Sequence, residues 1–220
     1  MWLVFIFNNR HQMIINLLIV ICAYLLGSIP AAVWIGKAAK GVDVREYGSK
    51  NAGTTNTMRV LGVKTGIPVL IIDVFKGFAA VKLALLSPVF AAGTNDFVNF
   101  QLGLGVAAVL GHVFPVFAGF RGGKGVATIV GILLALCWQA TLVAIVVFFI
   151  TLFISKYVSL SSLMMGLSYP VSVILIFKTD SISMKIFSVA VCILLLITHR
   201  KNISRLLNGK EGKATFLFKN

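Results

Sequence analysis

Acidic side chains are scarce in this chain: six Asp and Glu stand against twenty Lys and Arg among 220 residues. Asp43, Glu46, Asp73, Asp96, Asp180 and Glu211 are too scattered to build the carboxylate cluster that a metal-dependent phosphotransferase needs, and no metal or other cofactor is expected. Cysteine is scarce too. Cys22, Cys137 and Cys192 lie far apart in separate apolar runs, which excludes a C-x-x-C metal site and a disulfide framework. Charge of either sign reaches only 12% of residues, about half of what a soluble domain carries.

What fills the chain instead is hydrocarbon, at 59% of residues. Apolar stretches approach ~20 residues, the length a helix needs to cross a bilayer. The expected fold is therefore all-α: one polytopic membrane domain over 1–220, with residues 1–12 as an N-terminal extension that is not a cleavable signal. The net charge of +14 does not argue for nucleic acid, because the basic residues fall in alternate gaps between apolar runs.

Spans are expected near Met13–Gly36, Gly66–Leu86, Phe100–Phe117, Val158–Phe177 and Ile182–Thr198. On the third, Gly103, Ala107 and Gly111 offer a flat face for a neighbouring helix. Val126–Ser155 is apolar for 30 residues, too long for one span at about 1.5 Å per residue. Two short helices with a turn near Trp138 and Gln139 solve this and give about seven transmembrane segments. Fifteen basic residues then fall on one side and three on the other, which puts the motif loops and the carboxyl terminus in the cytoplasm.

Three polar clusters share that side. GSKNAGTTNTMR (Gly48–Arg59) is rich in hydroxyls, amides and glycines suited to oxyanions, though a solvated turn-rich loop reads equally well. FRGGKGVAT (Phe120–Thr128) is not a Walker loop, since Gly125 follows Lys124; it is a phosphate cradle at a helix start or a tight turn. HRKNISRLLNGKEGK (His199–Lys213) sets His199, Asn202 and Arg205 three residues apart, beyond what a lipid-attracted basic tail requires. Asp73 and Lys76, at i and i+3 within a span, read as a structural pair. His112, just inside the third span, reads as a hydrogen-bonded packing residue.

In this order the clusters resemble the bacterial acyl-phosphate:glycerol-3-phosphate acyltransferases of the PlsY type, whose motifs run GSGNxGATNxxR, GGKGVA and HxxNxxRLxxGxExK. The D-x-x-K-G of Asp73–Gly77 is also family-like, and the resemblance covers the chain from Gly27 onward. It implies seven helices in the bacterial cytoplasmic membrane with the active site on the cytoplasmic face. The implied reaction moves an acyl group from acyl phosphate to the 1-hydroxyl of sn-glycerol 3-phosphate, giving lysophosphatidic acid and phosphate. The substrates and the bilayer are the expected partners, with no nucleic acid; a monomer is expected, an oligomer left open.

Assigned to the family pattern residue by residue, Ser49, Lys124 and His199 are the expected catalytic groups. Asn51, Thr55, Asn56, Arg59, Gly122, Gly123, Gly125, Asn202 and Arg205 are expected to bind substrate phosphate, while Asp73, Lys76 and Glu211 support the site. Lys50 stands where the pattern has glycine, which strains the loop if that position needs positive φ. The H-x-x-x-x-D pair of the other glycerol-phosphate acyltransferases is absent: Asn16, Phe117 and Ser204 stand at the required spacing. The alternative reading is a transporter of phosphorylated anions, which would set its polar site near the midplane rather than at one surface.

Overall fold

The computed structural model describes residues 2–218, with side chains from residue 10. The described residues form ten α-helices: α1 (Trp2–Gly27), α2 (Ala31–Lys40), α3 (Thr54–Leu61), α4 (Val63–Lys82), α5 (Asn95–Val113), α6 (Val126–Leu136), α7 (Trp138–Ser155), α8 (Val158–Val171), α9 (Ile182–Thr198) and α10 (Arg200–Leu207). All seven apolar segments of the sequence become helices. Among the described residues four are long and apolar enough to cross a bilayer, or five if α9 and α10 are one span bent by 62°. The others are α4, interrupted by Asp73 and Lys76, and the short α6.

Several boundaries differ from the sequence reading: α1 begins at Trp2 rather than Met13, within the expected N-terminal extension, and α5 runs from Asn95 to Val113 rather than from Phe100 to Phe117. The first span ends at Gly27 rather than Gly36, because Pro30 cannot donate an in-helix hydrogen bond and disfavours helical φ/ψ at Ile29. α2 then forms a separate helix ending on Gly41, at φ +67°. The break in the long apolar run falls at Cys137, and the two pieces are unequal: 11 residues in α6 and 18 in α7. At about 27 Å, α7 nearly spans the hydrocarbon alone. α8 loosens after Pro170 into a π-type turn over Ser172–Ile176.

The helices approach closely through small residues, since apolar side chains gain little from leaving lipid for protein. α4 lies on α6, and a Cβ on Gly131 would meet the Val74 carbonyl oxygen at 1.9 Å. α1 lies on α5, where a Cβ on Gly111 would stand 2.2 Å from Tyr24 O. Gly103 is not part of this face; it is exposed, with nothing within 4 Å of its would-be Cβ. The stripe thus turns to Ala108 and Gly111, against Gly27 of α1. These contacts hold α4, α5 and α6 in fixed register, and the polar loops emerge from their ends.

Gly131→Ala is expected to destabilise the fold by about 1–3 kcal/mol through overpacking, whereas Gly103→Ala is neutral or slightly stabilising. Thermal unfolding of the two variants in detergent measures this difference.

Candidate active site

The first polar cluster is shaped by Asn56, buried on α3. Its amide donates to Val44 O at 2.8 Å and Tyr47 O at 3.1 Å, and its oxygen accepts from the Ser49 N–H at 2.8 Å. Asn56 therefore braces the loop, and Ser49 and Asn51 are presented by it. Lys50 between them has φ +58°, so the residue standing where the family pattern has glycine does occupy the left-handed region. Its side chain is exposed.

Arg45 ties this loop to the second. Asp43 grips it through Nε at 3.0 and 3.2 Å and Nη2 at 2.7 Å, while Nη1 donates to Ala118 O at 2.7 Å and Arg121 O at 3.1 Å. The hydrogen bond between them holds the Asp43 carboxyl below its usual range and the Arg45 guanidinium above.

In the glycine loop the three small residues divide their work. The Gly122 N–H donates to Val113 O at 3.1 Å and the Gly123 N–H to His112 O at 3.2 Å. A Cβ on Gly122 would stand 1.9 Å from His112 O, and one on Gly123 2.4 Å from His112 Nε2. Their N–H groups are thus occupied and pack the loop onto α5, contrary to the expected phosphate contact. Gly125, at φ +80°, starts α6 and leaves the first amides of that helix without intrahelical partners.

Beneath the loop a buried network links the helices. Lys76 Nζ lies 2.8 Å from Asp73 Oδ1 and donates to Ile29 O at 2.8 Å. His112 Nδ1 stands 3.7 Å from Asp73 Oδ1 and 3.0 Å from the Thr128 hydroxyl. Asp73 so receives its charge partner inside the helix bundle, as a buried carboxylate must.

The third cluster sits where α9 turns into α10. His199 is buried, and its Nδ1 lies 2.9 Å from Leu195 O, which requires the proton on Nδ1 in the neutral ring and leaves Nε2 as acceptor. Glu211 gathers the remainder: its Oε1 accepts from Asn202 Nδ2 and Ser159 Oγ, both at 2.7 Å, and its Oε2 from Arg205 Nε at 2.6 Å. Burial pushes the Glu211 carboxyl up, but these three donors outweigh it and leave the group below the usual range. The Asn202 oxygen in turn accepts from Lys124 Nζ. Burial pushes Lys124 down to about 8, against the pull of Glu211.

These groups surround one cavity of about 730 Å³. Of the expected residues, Ser49, Asn51, Thr55, Asn56, Arg59, Asp73, Lys124, Gly125, His199, Asn202, Arg205 and Glu211 line it; Gly122, Gly123 and Lys76 lie behind. The N-terminal residues of both α3 and α6 reach the same space through Thr54, Thr55, Val126 and Ala127. The other half is apolar, walled by Leu70, Val74, Val130, Ile145, Phe148, Phe149, Leu152 and Met165. Ser159 and Ser162, also on the wall, escaped the sequence reading; the run of serines at the start of an apolar helix was the available signal. Among the described residues no three His, Cys, Asp or Glu are grouped to hold a metal ion.

A cavity with cationic and amide donors at one end and hydrocarbon at the other fits a phosphate ester of a lipid. The model of the glycerol-3-phosphate acyltransferase family matches residues 17–209. The chain belongs to that family. A glycerol-3-phosphate acyltransferase of Fusobacterium nucleatum is 44% identical over 197 residues, covering 90% of this chain and 97% of the relative. Glycerol-3-phosphate acyltransferase 3 of Bacillus anthracis is 46% identical, covering 93% and 98%. Among solved structures, the crystal structure of PlsY, an integral membrane glycerol 3-phosphate acyltransferase, in its glycerol 3-phosphate form superposes with a TM-score of 0.80 at 38% identity, covering 90% of this chain and 94% of that one. Its lysophosphatidic acid form gives 0.80 at 37%, covering 93% and 99%. This acyltransferase is a multi-pass membrane enzyme, and apart from the Asp73–Lys76 pair within α4 its three polar clusters lie where helices end.

Lys124 sets the expected pH dependence. The ammonium is present below its pKa and lost above it, so kcat/KM should fall as pH rises through about 8. Lys124→Met should be far less active and lack this limb; a steady-state pH profile of both proteins measures it.

Proposed function

We propose that the enzyme transfers the acyl group of an acyl phosphate to the 1-hydroxyl of sn-glycerol 3-phosphate, working as one membrane domain. The observation that carries this reading is the two-ended cavity: donors from three separate chain segments at one end, apolar side chains from α4, α6 and α7 at the other. Two phosphate-bearing substrates call for several anion contacts, and one fatty chain calls for the apolar wall. An acyl phosphate is already activated, so the protein's task is to hold the acceptor near the acyl carbon and to neutralise charge.

In this reading Ser49, Asn51 and Thr55, with the free amides of α3, hold one phosphate, and Arg59 adds a bidentate contact. Lys124 bridges both substrates, with Gly125 supplying the start of α6. Asn202 and Arg205 orient glycerol 3-phosphate beside His199. The hydroxyl oxygen forms the new ester bond to the acyl carbon, the bond from that carbon to the phosphate oxygen breaks, and inorganic phosphate leaves. His199 Nε2 takes the hydroxyl proton, a role supported by the tautomer that Leu195 O imposes. Gly122, Gly123, Asn56, Asp73, Lys76 and Glu211 fix the geometry without touching the reacting atoms. The positive-inside count supports a cytoplasmic mouth, where glycerol 3-phosphate would reach it from solution.

Purified protein should release inorganic phosphate from palmitoyl phosphate only when glycerol 3-phosphate is added, with lysophosphatidic acid formed in equal amount. Release that ignores the acceptor would overturn the assignment. In the same assay His199→Ala should lower kcat by about 10²–10⁴-fold; a normal kcat with a raised KM would reduce His199 to an orienting role.

A further inference from the structure

The segment after Glu211 has no part in the chemistry above, yet it runs along the cavity. Ala214 is buried, and its N–H donates to Lys156 O at the end of α7, 2.8 Å away. Thr215–Leu217 makes a single turn. Phe218 packs on Phe153, ring centroids 5.7 Å apart, and Lys156 Nζ stands 3.7 Å above its ring. Between these anchors Leu217 lines the cavity, and the Arg59 guanidinium lies over the Phe216 ring at 5.7 Å.

Arg59 needs such a partner. It is exposed near the end of the short α3, and its long side chain has many rotamers in water. An acidic partner would hold it but would consume the in-plane N–H groups that a phosphate needs. An aromatic ring holds the flat face and leaves the N–H edge free. The acid nearest in sequence to Phe216, Glu211, is already occupied by Arg205, Asn202 and Ser159.

We infer that Phe216 is a positioning residue for Arg59, and that Ala214–Phe218 is a strap fixing it against α7 as the outer wall of the phosphate-binding end. The inference rests on the proposed role of Arg59 as a phosphate ligand. The strap makes that arginine part of a preorganised site rather than a mobile surface charge, so its loss acts on substrate capture and not on the chemical step.

The test uses the full chain in proteoliposomes, with thermal unfolding as a control for folding. Phe216→Ala should raise KM for one of the two phosphate substrates roughly two- to five-fold, with kcat unchanged. Phe216→Trp should restore the wild-type KM, whereas Phe216→Leu, apolar but without a π face, should not. In an Arg59→Ala background Phe216→Ala should add nothing further. A normal KM in Phe216→Ala or Phe216→Leu, or an additive effect without Arg59, overturns the inference. Those outcomes leave the acyltransferase reading standing, which fails only if the wild-type protein shows no acceptor-dependent transfer.

Discussion

The site depends on keeping one carboxylate charged at the end of a bundle with almost no acids. Glu211 binds Asn202, Arg205 and Ser159, three donors from α10 and α8, and through Asn202 it reaches Lys124 on the loop between α5 and α6. A basic cluster of this kind repels itself, and partial burial strengthens that repulsion. The single carboxylate offsets it without occupying Lys124, whose direct contact is with an amide oxygen. A lysine so placed has its position set by a neutral neighbour, which suits the phosphate contact proposed for it.

Backbone geometry supplies the rest of the phosphate end. Gly122 and Gly123 use their N–H groups to pin the loop on α5, and Gly125 then starts α6, whose first residues Val126 and Ala127 line the cavity. Arg45 bolts this loop to the one before α3, so two helix N-termini face one space. The buried Asp73–Lys76 pair and His112 lie directly below, giving the loop a polar floor that lipid could not provide. Rigidity of this order suits the proposed reaction, in which the acyl donor is already activated and the substrates must only be held in place.

Much of this was legible in the sequence because membrane burial leaves strong patterns. Apolar runs located the helices, and three polar clusters in fixed order pointed to the residues that meet in the cavity. What escaped depends on pairings that local sequence does not encode. Gly122 and Gly123 look like phosphate-binding glycines until their N–H groups are followed to Val113 and His112. Gly103 has the right spacing for a helix contact, yet the rotation of α5 turns it outward. Asn56 reads as a ligand, and its bracing of the loop was not visible because its partners Val44 and Tyr47 lie outside the motif. Ser159 was marked only by the run of serines at the start of an apolar helix, and its partner Glu211 lies far away in sequence. Lys50 runs the other way: the departure from glycine was visible, and its positive φ agrees with the conformation that glycine would have served.

The central claim is that the second and third polar clusters act as one unit through the contact between Lys124 and Asn202. A double-mutant cycle on kcat/KM with Lys124→Met and Asn202→Ala measures it most directly. The account predicts strong non-additivity, about 1–2 kcal/mol of coupling, because either substitution alone already breaks the pair. Effects that add within about 0.3 kcal/mol would show that the two clusters work independently and would contradict it.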